Sequence, residues 1–244
     1  MQYPISITSA PKGPYADSFD ANGYLLYQYR GTDIQHRDNV GLRQAMLHRI
    51  PLIYFYGIVP GKYLAIWPVY IVADDPADLS FKVAVDDKNA LHHLHETVLK
   101  DDDEDARRRY ITASVKARLH QKSFREKVLY AYRNQCAFCR LKHQELLDAA
   151  HILPDSDPDG LPVISNGISL CKIHHAAFDK LFIGIRPDYI IEVREDILRE
   201  SDGPMLLHGL QEMHGQKIIR PASPGDWPKA EYLDRRYQQF RKTG

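Results

Sequence analysis

A chain of 244 residues is long enough for one large or two modest domains, each with its own core. With 44% hydrophobic and 26% charged residues it has the composition of an ordinary globular protein, and no apolar run approaches the ~20 residues that span a bilayer. A formal net charge of zero, taken alone, argues against a nucleic-acid partner. The start, Met1-Gln2-Tyr3-Pro4-Ile5, lacks the basic and then apolar pattern of a signal peptide. All three cysteines stand at ligand spacing, which fits a reducing cytoplasm better than a disulfide framework.

Residues 1–86 read as a β-rich, barrel-like module. Tyr24 to Tyr29 and Leu52 to Val59 are rich in aromatic and β-branched residues, and Tyr63 to Val72 and Phe81 to Val85 supply two further strands. An Asp74-Asp75-Pro76-Ala77 turn separates the last two. One short helix is expected over Asn39 to Arg49, with Leu42, Ala45 and Met46 on one face. Seven tyrosines and Trp67, from Tyr24 to Tyr70, crowd into this module, and most must be core. Several tyrosines beside the polar Arg30-Gly31-Thr32-Asp33 and Arg37-Asp38-Asn39 loop also suit a site that stacks an extruded base and reads its edge.

Residues 87–110 read as a charged linker. His92, His93 and His95 have no acidic or thiol partner at ligand spacing and are expected on the surface of a short helix. Asp101 to Asp105 are five consecutive acids, the pattern of a solvated linker. From Arg107 to His143, by contrast, eleven basic residues meet one acid, Glu126, for a local net charge of +10. That excess points to a phosphate backbone, with Arg107, Arg108, Arg109, Lys116, Arg118 and Lys122 as contacts to double-stranded DNA. A helix with one solvated basic face is the plainer alternative.

The third segment, residues 111–244, holds the chemistry. Phe124, Val128, Leu129 and Tyr132 fall at helical spacing and lead to Cys136-Ala137-Phe138-Cys139. Cys171-Lys172-Ile173-His174 repeats that spacing, so the two knuckles could close a tetrahedral site of three sulfurs and one nitrogen. The 31 residues between them exceed zinc-ribbon spacing, so a further element must be folded there. Beyond, Leu181 to Val193 reads as a hairpin turning at Arg186-Pro187-Asp188. Leu233, Tyr237 and Phe240 mark a closing amphipathic helix.

Asp148-Ala149-Ala150-His151-Ile152-Leu153-Pro154, Asn166-Gly167 and His174-His175-Ala176-Ala177-Phe178-Asp179, in this order and enclosed by the knuckles, resemble the HNH endonuclease family. Within it they look like the branch found in predicted modification-dependent bacterial restriction enzymes. The resemblance implies an α+β protein whose second domain is a zinc-stapled ββα-metal nuclease. It also implies a structural zinc on Cys136, Cys139, Cys171 and His174, and a catalytic Mg2+ or Mn2+ held in part by His175. His151 becomes the general base, and Asn166 orients that base or fixes the loop before the helix. A buried, hydrogen-bonded His151 and a plain Asn-Gly turn are the structural alternatives.

Adjacent helical residues diverge by ~100°, so His174 and His175 cannot both face one ion; the reverse assignment stays open. Asp179, one turn after His175, is placed to orient that imidazole. Where many family members carry a cation ligand before the catalytic His, this chain has Ala150, and Asp148 is the expected replacement. Three functions follow: a metal-dependent DNA endonuclease whose N-terminal module selects marked DNA, a zinc-stapled DNA-binding protein that does not cleave, or a nuclease acting on RNA. Cutting both strands calls for two active sites, which makes a homodimer one expectation, although no segment bears an interface signature.

Overall fold

The structure, a computed structural model, describes residues 3–11, 18–20, 24–85 and 119–243. It divides into two compact units, residues 1–120 and 121–244. The expectations for His92, His93, His95, the acidic run, Arg107, Arg108, Arg109, Lys116 and Arg118 fall outside the described residues.

The first unit is built on β1 (Ser6–Ser9), β2 (Ser18–Phe19), β3 (Leu25–Gln28), β4 (Leu52–Val59), β5 (Lys62–Asp75) and β6 (Ser80–Val85), with helix α1 (Arg37–Leu47) before β4. The strands form one sheet in the order β1-β4-β5-β6-β3-β2. β1 runs parallel to β4, pairing Ile7 with Tyr54, and every other pairing is antiparallel. Among the described residues the sheet does not close into a barrel: β1 and β2 are its edges. Alternate residues of β5 and β6 face inward because successive strand side chains point to opposite faces. Val69, Ile71, Phe81 and Val83 are therefore buried, with Tyr29 packed on Phe81 at 4.6 Å between ring centres. The β5–β6 turn is tied by Asp75 Oδ1, which accepts from the Ala77 and Asp78 amides.

Helix α1 starts where the His36 ring nitrogen accepts the Asp38 amide and stops two residues before the expected end. Arg49 there takes a φ of 52°, which no right-handed helix can continue through. Leu42 and Ala45 face the core, as the periodicity indicated.

The second unit holds all but the first two residues of α2 (helical over residues 119–131), β7 (Leu147–His151), β8 (Gly167–Cys171), α3 (Lys172–Asp179), β9 (Ile183–Ile185), β10 (Ile191–Val193), α4 (Glu195–Arg199), α5 (Pro204–Gly209) and α6 (Ala230–Arg241). β7 and β8 are antiparallel, with Asp148 opposite Leu170 and His151 opposite Gly167. α3 follows β8 without a break, which completes a ββα unit. Phe124, Val128 and Leu129 of α2 and the following Tyr132 bury against this hairpin. Each such side chain contributes roughly 1.5–3 kcal/mol by leaving water.

Contact with α2 explains Gly167. Its backbone is extended, so no turn requires glycine. A Cβ there would instead stand 2.5 Å from Val128 Cγ2 and 2.9 Å from the Phe124 ring. β9 and β10 form the expected hairpin around Arg186 to Tyr189, and α6 closes on it. Phe240 of α6 lies over Gly184, and the Tyr237 hydroxyl donates to Glu192 Oε2 at 2.6 Å. No helix among the described residues is long and apolar enough to cross a membrane.

Candidate active site and metal centre

The two Cys-containing knuckles meet. Cys136 and Cys139 flank a tight turn that ends on Arg140 at a φ of 65°, where the Arg140 amide donates to the Cys136 carbonyl. Cys171 caps the start of α3, and His174 follows in its first turn, 2% exposed. The ligand atoms of Cys136, Cys139, Cys171 and His174 all lie within 4.8 Å of one another. His174 Nδ1 is 3.2 Å from the Cys171 sulfur and 3.4 Å from that of Cys136. Its other ring nitrogen, Nε2, donates to the Gly209 carbonyl at 2.6 Å. That bond fixes the tautomer and turns the Nδ1 lone pair toward the sulfurs, the usual support for a metal-ligating imidazole.

The donor set fits a metal ion on chemical grounds as well. Hydrogen bonds from Cys136 and Cys139 drive the Cys171 thiol far below its ordinary range. Contacts with Cys136 and Cys171 drive Cys139 far above it. Three sulfurs this close cannot all be thiolates without a cation among them. Three sulfurs and one nitrogen are the ligands of a closed tetrahedral zinc site. All three cysteines are free, so no disulfide competes.

A second cluster gathers along the same ββα unit. His175 Nδ1 lies 3.6 Å from Asp148 Oδ2, and its Nε2 lies 3.3 Å from Asp179 Oδ2. The histidines at 174 and 175 thus serve different clusters, as their helical divergence requires. Asp148 also meets Lys172 at the start of α3 and, at 3.5 Å, Arg125 of α2. Burial would raise the Asp148 pKa, but Lys172 and His175 outweigh it and hold the carboxyl below its ordinary range. Ala150 is fully buried and offers no ligand.

His151 ends β7. Its ring stacks on Phe124, 4.0 Å between centres and 19° from parallel. Burial lowers its pKa below the ordinary 6.5; nearby His175 adds to this, while Asp155 and Asp179 work against it. His151 is therefore a neutral imidazole near pH 7. Asp155 Oδ1 comes within 3.1 Å of Nε2, yet out of hydrogen-bond geometry, so that buried nitrogen carries no hydrogen bond.

Asn166 is fully buried, and its whole amide is engaged in holding the chain that follows His151. Its Oδ1 accepts the Leu153 amide at 2.9 Å, and its Nδ2 donates to the carbonyls of Leu153 and Leu161 at 3.0 and 3.1 Å. Arg235 of α6 grips the same loop through Asp157 at 2.5 Å and Asp159 at 2.8 Å. Phe124 reads from periodicity as core alone, and its second role as the stacking partner of His151 escapes that reading. Lys172, Arg125 and Asp155 carry no local signal; only their meeting with Asp148 and His151 in the fold marks them. Lys122, a sequence-predicted phosphate contact, is exposed, whereas Arg125 of the same helix turns inward to the Gln144 and Leu147 carbonyls.

Residues 136–186 match the model of the HNH endonuclease family. This segment is an HNH endonuclease domain. The HNH domain spans both knuckles, the ββα unit and β9, and makes the chain a nuclease that hydrolyses phosphodiester bonds. Comparison of the sequence with curated proteins returns no match. Among solved structures, a modification-dependent TagI restriction endonuclease aligns over 95% of this chain and 80% of its own, at 16% identity and a TM-score of 0.34.

Proposed function

We propose that the chain is a metal-dependent DNA endonuclease in which the HNH domain cuts and the N-terminal unit selects a modified or otherwise marked site. The observation that carries this reading is the cluster beside α3: His175 between two carboxylates, within electrostatic reach of a neutral His151. His151 takes the proton from the attacking water. Asp148 and His175 would hold the catalytic Mg2+ or Mn2+, with Asp179 orienting His175. A divalent cation held there supplies Lewis-acid stabilisation of charge on the scissile phosphate and the leaving oxygen. Asn166 keeps the segment after His151 in place, so that the Phe124-stacked ring stays aimed.

Cys136, Cys139, Cys171 and His174 hold a structural zinc in this reading. It is supported by the mutual approach of their ligand atoms and by the Gly209 carbonyl on His174. Arg107, Arg108, Arg109, Lys116, Arg118 and Lys122 supply contacts to the phosphate backbone regardless of base sequence. Selection by the first unit is supported by β5, where Tyr63 is 48% and Trp67 is 56% exposed on one face while Tyr29 and Tyr54 fill the core. Exposed aromatics on a rigid strand are suited to stacking on a base.

The test is cleavage of plasmid DNA, methylated and unmethylated, with Mg2+ or Mn2+, beside His151→Ala and a chain lacking residues 1–86. Cleavage by the parent and none by His151→Ala supports the catalytic assignment. Equal preference in the full and shortened chains removes selection from the N-terminal unit.

A further inference from the structure

Asp148 is contested by three groups of different mobility. Lys172 places its ammonium on Oδ2, the same oxygen that lies 3.6 Å from His175 Nδ1. Arg125 reaches Oδ1 at 3.5 Å but is anchored elsewhere, by the Gln144 and Leu147 carbonyls and by Glu126 at 2.9 Å. It cannot leave without loosening the start of β7. His175 is held by the turn of α3 and by Asp179. Lys172 is the exception. Among the described residues Asp148 is its one polar partner, its side chain is 57% exposed, and its charge rides on a flexible four-carbon stem. It occupies the one carboxylate oxygen that a cation shared with His175 would take.

We propose that Lys172 is a positioning residue that holds Asp148 while the site lacks both cation and DNA, and that transfers its ammonium to a DNA phosphate when the two bind. The inference rests on the reading of Asp148 and His175 as the cation site. Lysine and divalent cation then exclude each other on Asp148, so that the free nuclease binds the cation weakly. A phosphate beside the site offers the ammonium a new partner and removes the competition. Cation and DNA therefore favour each other's binding, by the same factor in either order. A nuclease built this way is armed by its substrate.

The experiment reads Mn2+ affinity by calorimetry on the zinc-loaded full chain, so that it does not depend on turnover. Without DNA, Lys172→Gln tightens Mn2+ binding about fivefold, the scale of an exposed ion pair, whereas Lys172→Arg leaves it weak because the charge remains. Zinc content equal to that of the parent confirms that the variants are folded. In a His151→Ala background with a short duplex bound but uncut, the gap between Lys172→Gln and the lysine-bearing chain narrows. Equal Mn2+ affinity with and without the lysine in the DNA-free protein overturns the proposal, and so does a gap that DNA does not change. Asp148→Asn with the parent's Mn2+ affinity overturns, separately, the cation-site reading beneath it.

Discussion

The two clusters on the HNH domain share one helix and differ in almost every physical respect. The Cys136, Cys139, Cys171 and His174 set is fixed by the backbone: a left-handed turn on one side, a helix start on the other, and the Gly209 carbonyl behind the imidazole. No ammonium or guanidinium group contacts it among the described residues. The Asp148 and His175 set consists of two side chains, each about a quarter exposed, and shares its carboxylate with Lys172 and Arg125. A cavity prepared for one ion holds it permanently; a site that must first give up a competing charge exchanges its ion with solvent. On the proposed reading, two metals in one small domain would have separate duties without separate modules.

The largest expected effect tests the first half of that comparison. Cys139→Ala should lose zinc and unfold the domain, because binding free energies of ~10–16 kcal/mol at such sites are folding free energies. Brief dialysis against EDTA should do the opposite in the parent: it should stop cleavage, leave the circular dichroism unchanged and keep the zinc. Elemental analysis of active protein showing no zinc would sink the assignment.

His151→Ala should lower the cleavage rate by ~10²–10⁴, the usual value of a general base, while DNA binding persists. His175→Ala should weaken the response to Mg2+ or Mn2+ by more than the roughly 10–100-fold that loss of an outer-shell partner costs and keep the zinc, whereas His174→Ala should lose the zinc. A His175→Ala protein that lost zinc and kept its Mg2+ response would exchange the duties of the two histidines.

Much of this organisation is legible in the chain. Ligand spacing is a local property, so Cys136-x-x-Cys139 and Cys171-x-x-His174 stand out, and the helical divergence of residues 174 and 175 separates the clusters before any fold is known. Strand alternation and turn residues place β3 to β6 within a residue or a few of their observed ends. What is not legible is non-local. β1 pairs in parallel with β4 across some forty residues of chain, and four residues carry too little pattern to announce it. Lys172 and Arg125 look like any solvated cation until folding brings Asp148 between them. Gly167 reads as a turn glycine from its dipeptide, although it is there because Phe124 and Val128 leave no space for a Cβ. The open edges of the N-terminal sheet likewise depend on long-range pairing that alternation cannot convey.

The smallest effect bears on His151 alone. Burial penalises its imidazolium, so the folded pKa lies below the unfolded 6.5. Between those two values the unfolded chain binds more protons than the native one, and stability therefore rises with pH across that window, is complete above 6.5, and is lost below the folded pKa. If His151 is the general base proposed above, activity follows the same proton, since only the neutral ring accepts one from water, and the acid limb of the rate profile should lie below the pKa of a free imidazole. Asp155 works against burial: its carboxylate, 3.1 Å from Nε2 but more than half exposed, favours the charged ring. Asp155→Asn removes that help while keeping the shape of the side chain, so the acid limb should move to still lower pH with the plateau rate little changed. A pH–rate profile under single-turnover conditions decides it. A limb that shifts upward, or a plateau that collapses with the limb in place, would show that Asp155 orients the ring rather than tuning its charge.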